Sequence, residues 1–135
     1  MSLFPLNRYA PEMFIAAFEH ELVRIRGDGC FVCLVIGEDE VKITFPSING
    51  ECTATSRAAV LEVLSKITEL DNRVQESCDE ECRQTGLHSS NYELYLAYID
   101  LRGHELTLGY FGAKVNTEWE AKFRLVNGQW EKVNF

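Results

Sequence analysis

Apolar residues recur at helical spacing early in the chain, where Phe14, Phe18, Leu22 and Ile25 share one face over residues 11–26. That period predicts an amphipathic helix, with Pro11 suited to its first turn and Gly27 to its end. Apolar runs at residues 30–36 and 41–45, joined around Gly37, Glu38 and Asp39, predict a hairpin. After a loop holding Asn49 and Gly50, residues 55–83 carry Val60, Leu64, Ile67, Leu70, Val74 and Cys78 on one helical face. Thr55 or Ser56 would cap this long helix, and Glu62 with Lys66 and Glu69 with Arg73 are spaced for ion pairs along it.

From residue 91 the period changes to two. Residues 94–99 are apolar on both parities, which predicts a strand central in its sheet, and Arg102-Gly103 turns it into another strand over residues 104–111. Trp119, Ala121, Phe123 and Leu125 then alternate with Glu118, Glu120, Lys122 and Arg124, and Asn127-Gly128 predicts a tight turn into a last strand over residues 130–135. Trp119 and Phe123 are expected in the core, and Trp130, out of parity with Val133 and Phe135, partly exposed. The predicted fold is α+β in the order α-β-β-α-β-β-β-β: one domain, with two helices packed on one face of an antiparallel sheet of about six strands.

A chain of 135 residues, 46% apolar, can bury about two-thirds of its unfolded surface in one core. No apolar run approaches the ~20 residues of a bilayer span, and the N-terminal stretch lacks the basic and hydrophobic regions of a secretory leader. Five cysteines without an Asn-x-Ser/Thr acceptor fit free thiols in a reducing cytoplasm. The formal charge of −8 is concentrated in residues 38–82, where eleven acids stand against Lys42, Arg57, Lys66 and Arg73. Such a field disfavours nucleic acid and anionic membranes and favours encounter with a basic partner; it is also a common solubility device.

Candidate chemistry is sparse. Cys30 and Cys33 are spaced to point to opposite faces of one strand, so with Cys78 and Cys82 they read as core thiols rather than zinc ligands. His20, His88 and His104 form no recognisable pair, and no phosphate-binding glycine motif or basic-aromatic patch is present. Glu118 and Glu120 share a strand face, but Lys122 and Arg124 continue it, which favours a solvated ladder over an acid-base pair. No catalytic residue, metal or cofactor is therefore expected.

Two segments are candidates for partner binding. One is the strand connection that offers Tyr110, Asn116 and Glu118, an aromatic beside polar groups. Its competing reading is a wide turn with Asn116 or Thr117 bonded to the local backbone. The other is the acidic outer face of the long helix, with Glu76, Asp79 and Glu80.

The segments Gly109-Tyr-Phe-Gly, Val115-Asn-Thr-Glu-Trp and Asn127-Gly-Gln-Trp, with a final Asn134-Phe135, resemble the C-terminal part of small bacterial immunity proteins of polymorphic toxin systems. The resemblance covers about the last 27 residues. It implies a cytoplasmic, non-enzymatic protein that binds and neutralises a cognate toxin domain, one that the acidic charge expects to be basic, and it carries over no catalytic residues. The alternative is a small-molecule-binding or isomerase-like domain resembling the nuclear transport factor two-like superfamily, which also ends in a tryptophan-bearing hairpin. A third reading is a homodimer that covers an open sheet edge.

Overall fold

Helix α1 spans Pro11–His20 in a computed structural model of the chain, which describes residues 8–27, 29–86, 94–112 and 117–134, without the side chains of Cys82, Thr85 and Thr117. The helix buries Phe14 and Phe18 but stops one and a half turns before the sequence period predicts. Glu21 already leaves it in an extended conformation, and Arg24–Arg26 form strand β1 against Gly29–Ile36, strand β2. β-branched Val23 and Ile25 favour the extended state, and Gly27 at φ +60 takes the left-handed turn that the pairing needs. Leu22 and Ile25, expected on the helix's apolar face, are exposed instead, Leu22 at 78%.

Strand β2 pairs with β3, Asp39–Pro46, through the predicted hairpin. The predicted long helix is two: α2, Ala54–Leu64, and α3, Ile67–Thr85. Thr53, not Thr55 or Ser56, is the cap, its hydroxyl accepting from the Ser56 N–H at 3.1 Å. The break falls at Ser65, whose hydroxyl donates to the Glu62 carbonyl at 2.6 Å and so competes for a backbone acceptor of the helix. The Glu62–Lys66 pair forms at 3.1 Å. Arg73, assigned to Glu69, instead donates to the Trp130 carbonyl at 2.7 Å and lies over the Phe123 ring.

Four antiparallel strands complete the chain: β4, Leu94–Arg102; β5, Glu105–Gly112; β6, Thr117–Val126; and β7, Gln129–Asn134. The sheet has seven strands in sequence order, with β4 at its centre as its two-sided apolar pattern predicts. Among the described strands only β3 and β4 pair in parallel, because α2 and α3 carry the chain across between them. The class is α+β, with seven strands and three helices among the described residues where six and two were expected.

One face of the sheet, carrying Leu34, Ile43, Ile99, Leu108 and Phe123, packs against the helices and forms the core. Trp130 joins it, contrary to the expected partial exposure: it pairs with Leu125 on the inward side, and Val133, of opposite parity, is the exposed one. Cys30 faces this core and Cys33 the opposite side. Cys30 is bonded to Cys52 in the segment before α2, so the expectation of free thiols is corrected for these two. Cys33 and Cys78 are in no disulfide among the described residues.

Candidate functional site

The inward face of α3 carries a polar stripe. Asp71, Gln75 and Asp79 follow one another at intervals of four, which places them together beside Val74 and Cys78, and all three are buried. Asp71 Oδ1 accepts from the Tyr110 hydroxyl at 2.7 Å and from Gln75 Nε2 at 3.1 Å. Arg8 Nε lies 3.7 Å from Asp71 Oδ2, close enough to compensate charge but too far for a hydrogen bond. Burial pushes the Asp71 carboxyl above the usual range, and the Tyr110 bond, Arg8 and Gln75 offset this only in part. Burial, and then the adjacent Asp71, push the Tyr110 hydroxyl well above its ordinary value.

Arg8 and Tyr9 close this cluster. Arg8 donates to the Leu94 carbonyl and lies over the rings of Tyr9 and Tyr95. The Tyr9 hydroxyl accepts from the Leu96 N–H at 2.8 Å, where a bulge between Leu96 and Tyr98 interrupts the ladder between β4 and β5. Burial raises the Tyr9 hydroxyl to about 12, against the lowering effect of Arg8.

The other face of the sheet is built differently. Phe111 stands directly across from Tyr95 on one side and Glu118 on the other, so the three side chains form one row over β4, β5 and β6. Phe111 is 44% exposed and Tyr95 38%. In the next row Tyr98 donates its hydroxyl to Glu120 and lies over Gly109, where a Cβ would overlap its ring. Desolvation, then the hydrogen bond and charge of Glu120, push the Tyr98 hydroxyl up. Val35 and the exposed Glu40 pair at the same end of this face. Thr44 donates to Asp100 at 2.8 Å further along, and Glu105 faces Arg124 at 3.9 Å near the opposite end.

The five predicted partner-binding residues that the structure describes are thus scattered. Glu118 lies on the open face, as its strand parity required. Tyr110 does not: it is an inward residue of β5, and burial against Asp71 removes it from any surface. Asn116 lies outside the described residues. Glu76 and Glu80 are exposed on α3, on the helical side of the sheet. Asp79 is corrected from surface to interior at 7% exposure, since its spacing from Asp71 and Gln75 puts it on their stripe; its Oδ1 finds no hydrogen-bond partner among the described residues. Tyr95 and Phe111 were missed. Their signal was present in the sequence, as the parity opposite Leu94, Leu96 and Tyr110, but an apolar strand gives no hint of which side the helices cover.

A surface cleft of about 490 Å³ lies beside Tyr95, lined also by Arg8, Met13, Ile36 and Asp39. A second, of about 250 Å³, is lined by Leu101, Leu125, Lys66 and Trp130. Asp71 and Tyr110 line neither. Among the described residues no group of three or more His, Cys, Asp or Glu is placed to hold a metal ion, and no helix is long and apolar enough to cross a membrane. No protein-family model matches the chain, and no curated protein or solved structure is significantly similar to it.

Proposed function

We propose that the chain is a non-enzymatic protein-binding domain, an immunity protein that neutralises a basic bacterial toxin domain. The observation that carries this reading is the uncovered sheet face, where Tyr95 and Phe111 stand exposed in one row with Glu118. Aromatic side chains of low conformational freedom beside polar groups are what protein interfaces use as anchors. The competing isomerase-like reading rests on Asp71 and Tyr110, a raised carboxyl bonded to a tyrosine. Its weakness is access: Asp71 has no solvent exposure, and a catalytic base must reach the proton that it takes.

The reading expects a toxin gene beside this chain's own, and the test is co-expression with the toxin domain that it encodes. Restored growth and co-purification of the two proteins, with affinity falling as salt rises, are expected. Growth arrest despite folded, abundant protein would reject the immunity reading. The cytoplasm is the compartment that the composition favours, and the Cys30–Cys52 bond weighs against it, because such bonds persist in oxidising compartments. Thiol trapping in intact cells decides between the two.

A further inference from the structure

We infer that the end of the open sheet face around Tyr95, Phe111 and Glu118 is an arginine-recognition surface, occupied by an arginine-bearing segment of a protein partner. The inference rests on the binding reading above and adds the surface and the chemistry it selects. Directly opposed residues on antiparallel strands hold their Cβ atoms about 5 Å apart, so the Phe111 and Glu118 side chains rise from adjacent points on this face. A guanidinium set between them stacks its plane on the ring while its N–H groups meet the carboxylate.

The protein already makes half of this arrangement internally. The Arg8 guanidinium lies 5.2 Å from the centre of the Tyr95 ring, which pairs with Phe111 in the same row. Charge supports the same occupant. Glu40, Glu118 and Glu120 stand at this end of the face, and Glu38 and Asp39 line the adjoining cleft. Among the described residues the cations there are Lys42 and Arg8, and Arg8 is turned inward to Asp71 and the Leu94 carbonyl. The far end of the face is of mixed sign, with Arg24, Arg102, Lys122 and Arg124 interleaved with Asp100, Glu105 and Glu131. A basic segment therefore has one favourable end on which to settle. Arginine suits it better than lysine, whose compact ammonium is more strongly hydrated and cannot stack as a plane.

The test uses the full chain, uniformly labelled with ¹⁵N, and a short capped peptide of alternating arginine and threonine at physiological ionic strength, with the lysine-threonine peptide as comparison. Shifts should concentrate on amides of β4, β5 and β6 around Tyr95, Phe111 and Glu118, and the arginine peptide should bind more tightly. Phe111→Ala and Glu118→Gln, both at exposed positions, should each weaken it about tenfold. Glu76→Gln with Glu80→Gln on α3 should leave it unchanged. Shifts centred on α3, equal binding of both peptides, or no change in the Phe111 and Glu118 variants overturns the inference. The two readings fail separately. Peptide binding mapped to this row without toxin neutralisation leaves the surface standing and removes the immunity function, whereas neutralisation undiminished in Phe111→Ala and Glu118→Gln does the reverse.

Discussion

The ring of Tyr98 occupies the space where a side chain at Gly109 would stand, and its hydroxyl reaches past that glycine to Glu120 on the next strand. An aromatic lying over a strand glycine covers backbone that would otherwise be exposed and helps to pin the register. Gly109 is thus there for close approach, not for an unusual backbone angle. Gly109→Ala forces the ring to move and should cost about 1–3 kcal/mol in urea unfolding. Adding Tyr98→Ala should recover part of that loss; a cycle in which the two substitutions simply add would show that the overlap is not the cause.

Tyr9 serves the bulge in β4. Its hydroxyl is the acceptor for the buried Leu96 N–H, so Tyr9→Phe removes the partner and leaves the donor in place. A cost of about 1–3 kcal/mol is expected. Hydrogen exchange at the Leu96 amide should speed up more than at Ile99, which has no such dependence; equal acceleration at both would indicate a general loosening.

Asp71 supplies a pH test with a definite sign. Its folded-state pKa lies above the unfolded value of about 3.9. The associated stability is fully present below about pH 3.9 and is lost as pH rises through the folded value. Asp71→Asn keeps an oxygen acceptor for Tyr110 and removes the titration. Wild type should therefore lose stability relative to this variant as pH rises from about 3.9, with the difference levelling off once Asp71 is ionised in the folded state. Urea midpoints across that range measure it; wild type gaining on the variant instead would mean that Arg8 outweighs burial.

The Cys30–Cys52 bond closes a sequence separation of 22 residues and ties β2 to the segment before α2. Chain-entropy arguments assign a crosslink of this span about 3 kcal/mol. Denatured, unreduced protein should take up two fewer alkyl groups than reduced protein, and reduction or Cys52→Ser should lower unfolding stability by about that amount. Full alkylation without reductant would show that the bond does not form.

Local pattern alone was enough for most of the strands. The alternation of Trp119, Ala121, Phe123 and Leu125 with charged residues, and the Asn127-Gly128 turn at φ 50 and 77, appear in the structure as predicted. Such features depend on near neighbours, because strand parity and turn angles are set within a few residues. The end of α1 was less legible, since Leu22 and Ile25 match the helical period but the competing partner is β2, which the helical pattern does not describe. The break at Ser65 turns on a single side-chain bond, too slight a signal to see in a continuous apolar stripe.

Of the candidate site, Glu118 and the exposed glutamates of α3 were legible and the rest was not. The sequence by itself determined an acidic α+β chain ending in an antiparallel tryptophan-bearing hairpin, because composition and periodicity are local properties. Tertiary structure alone decided that both Trp130 and Tyr110 face inward, that Asp71 meets Arg8, and that Tyr95 and Phe111 stand in the open. Each of those outcomes depends on which side of the sheet the helices cover, a choice made by packing between segments far apart in the chain.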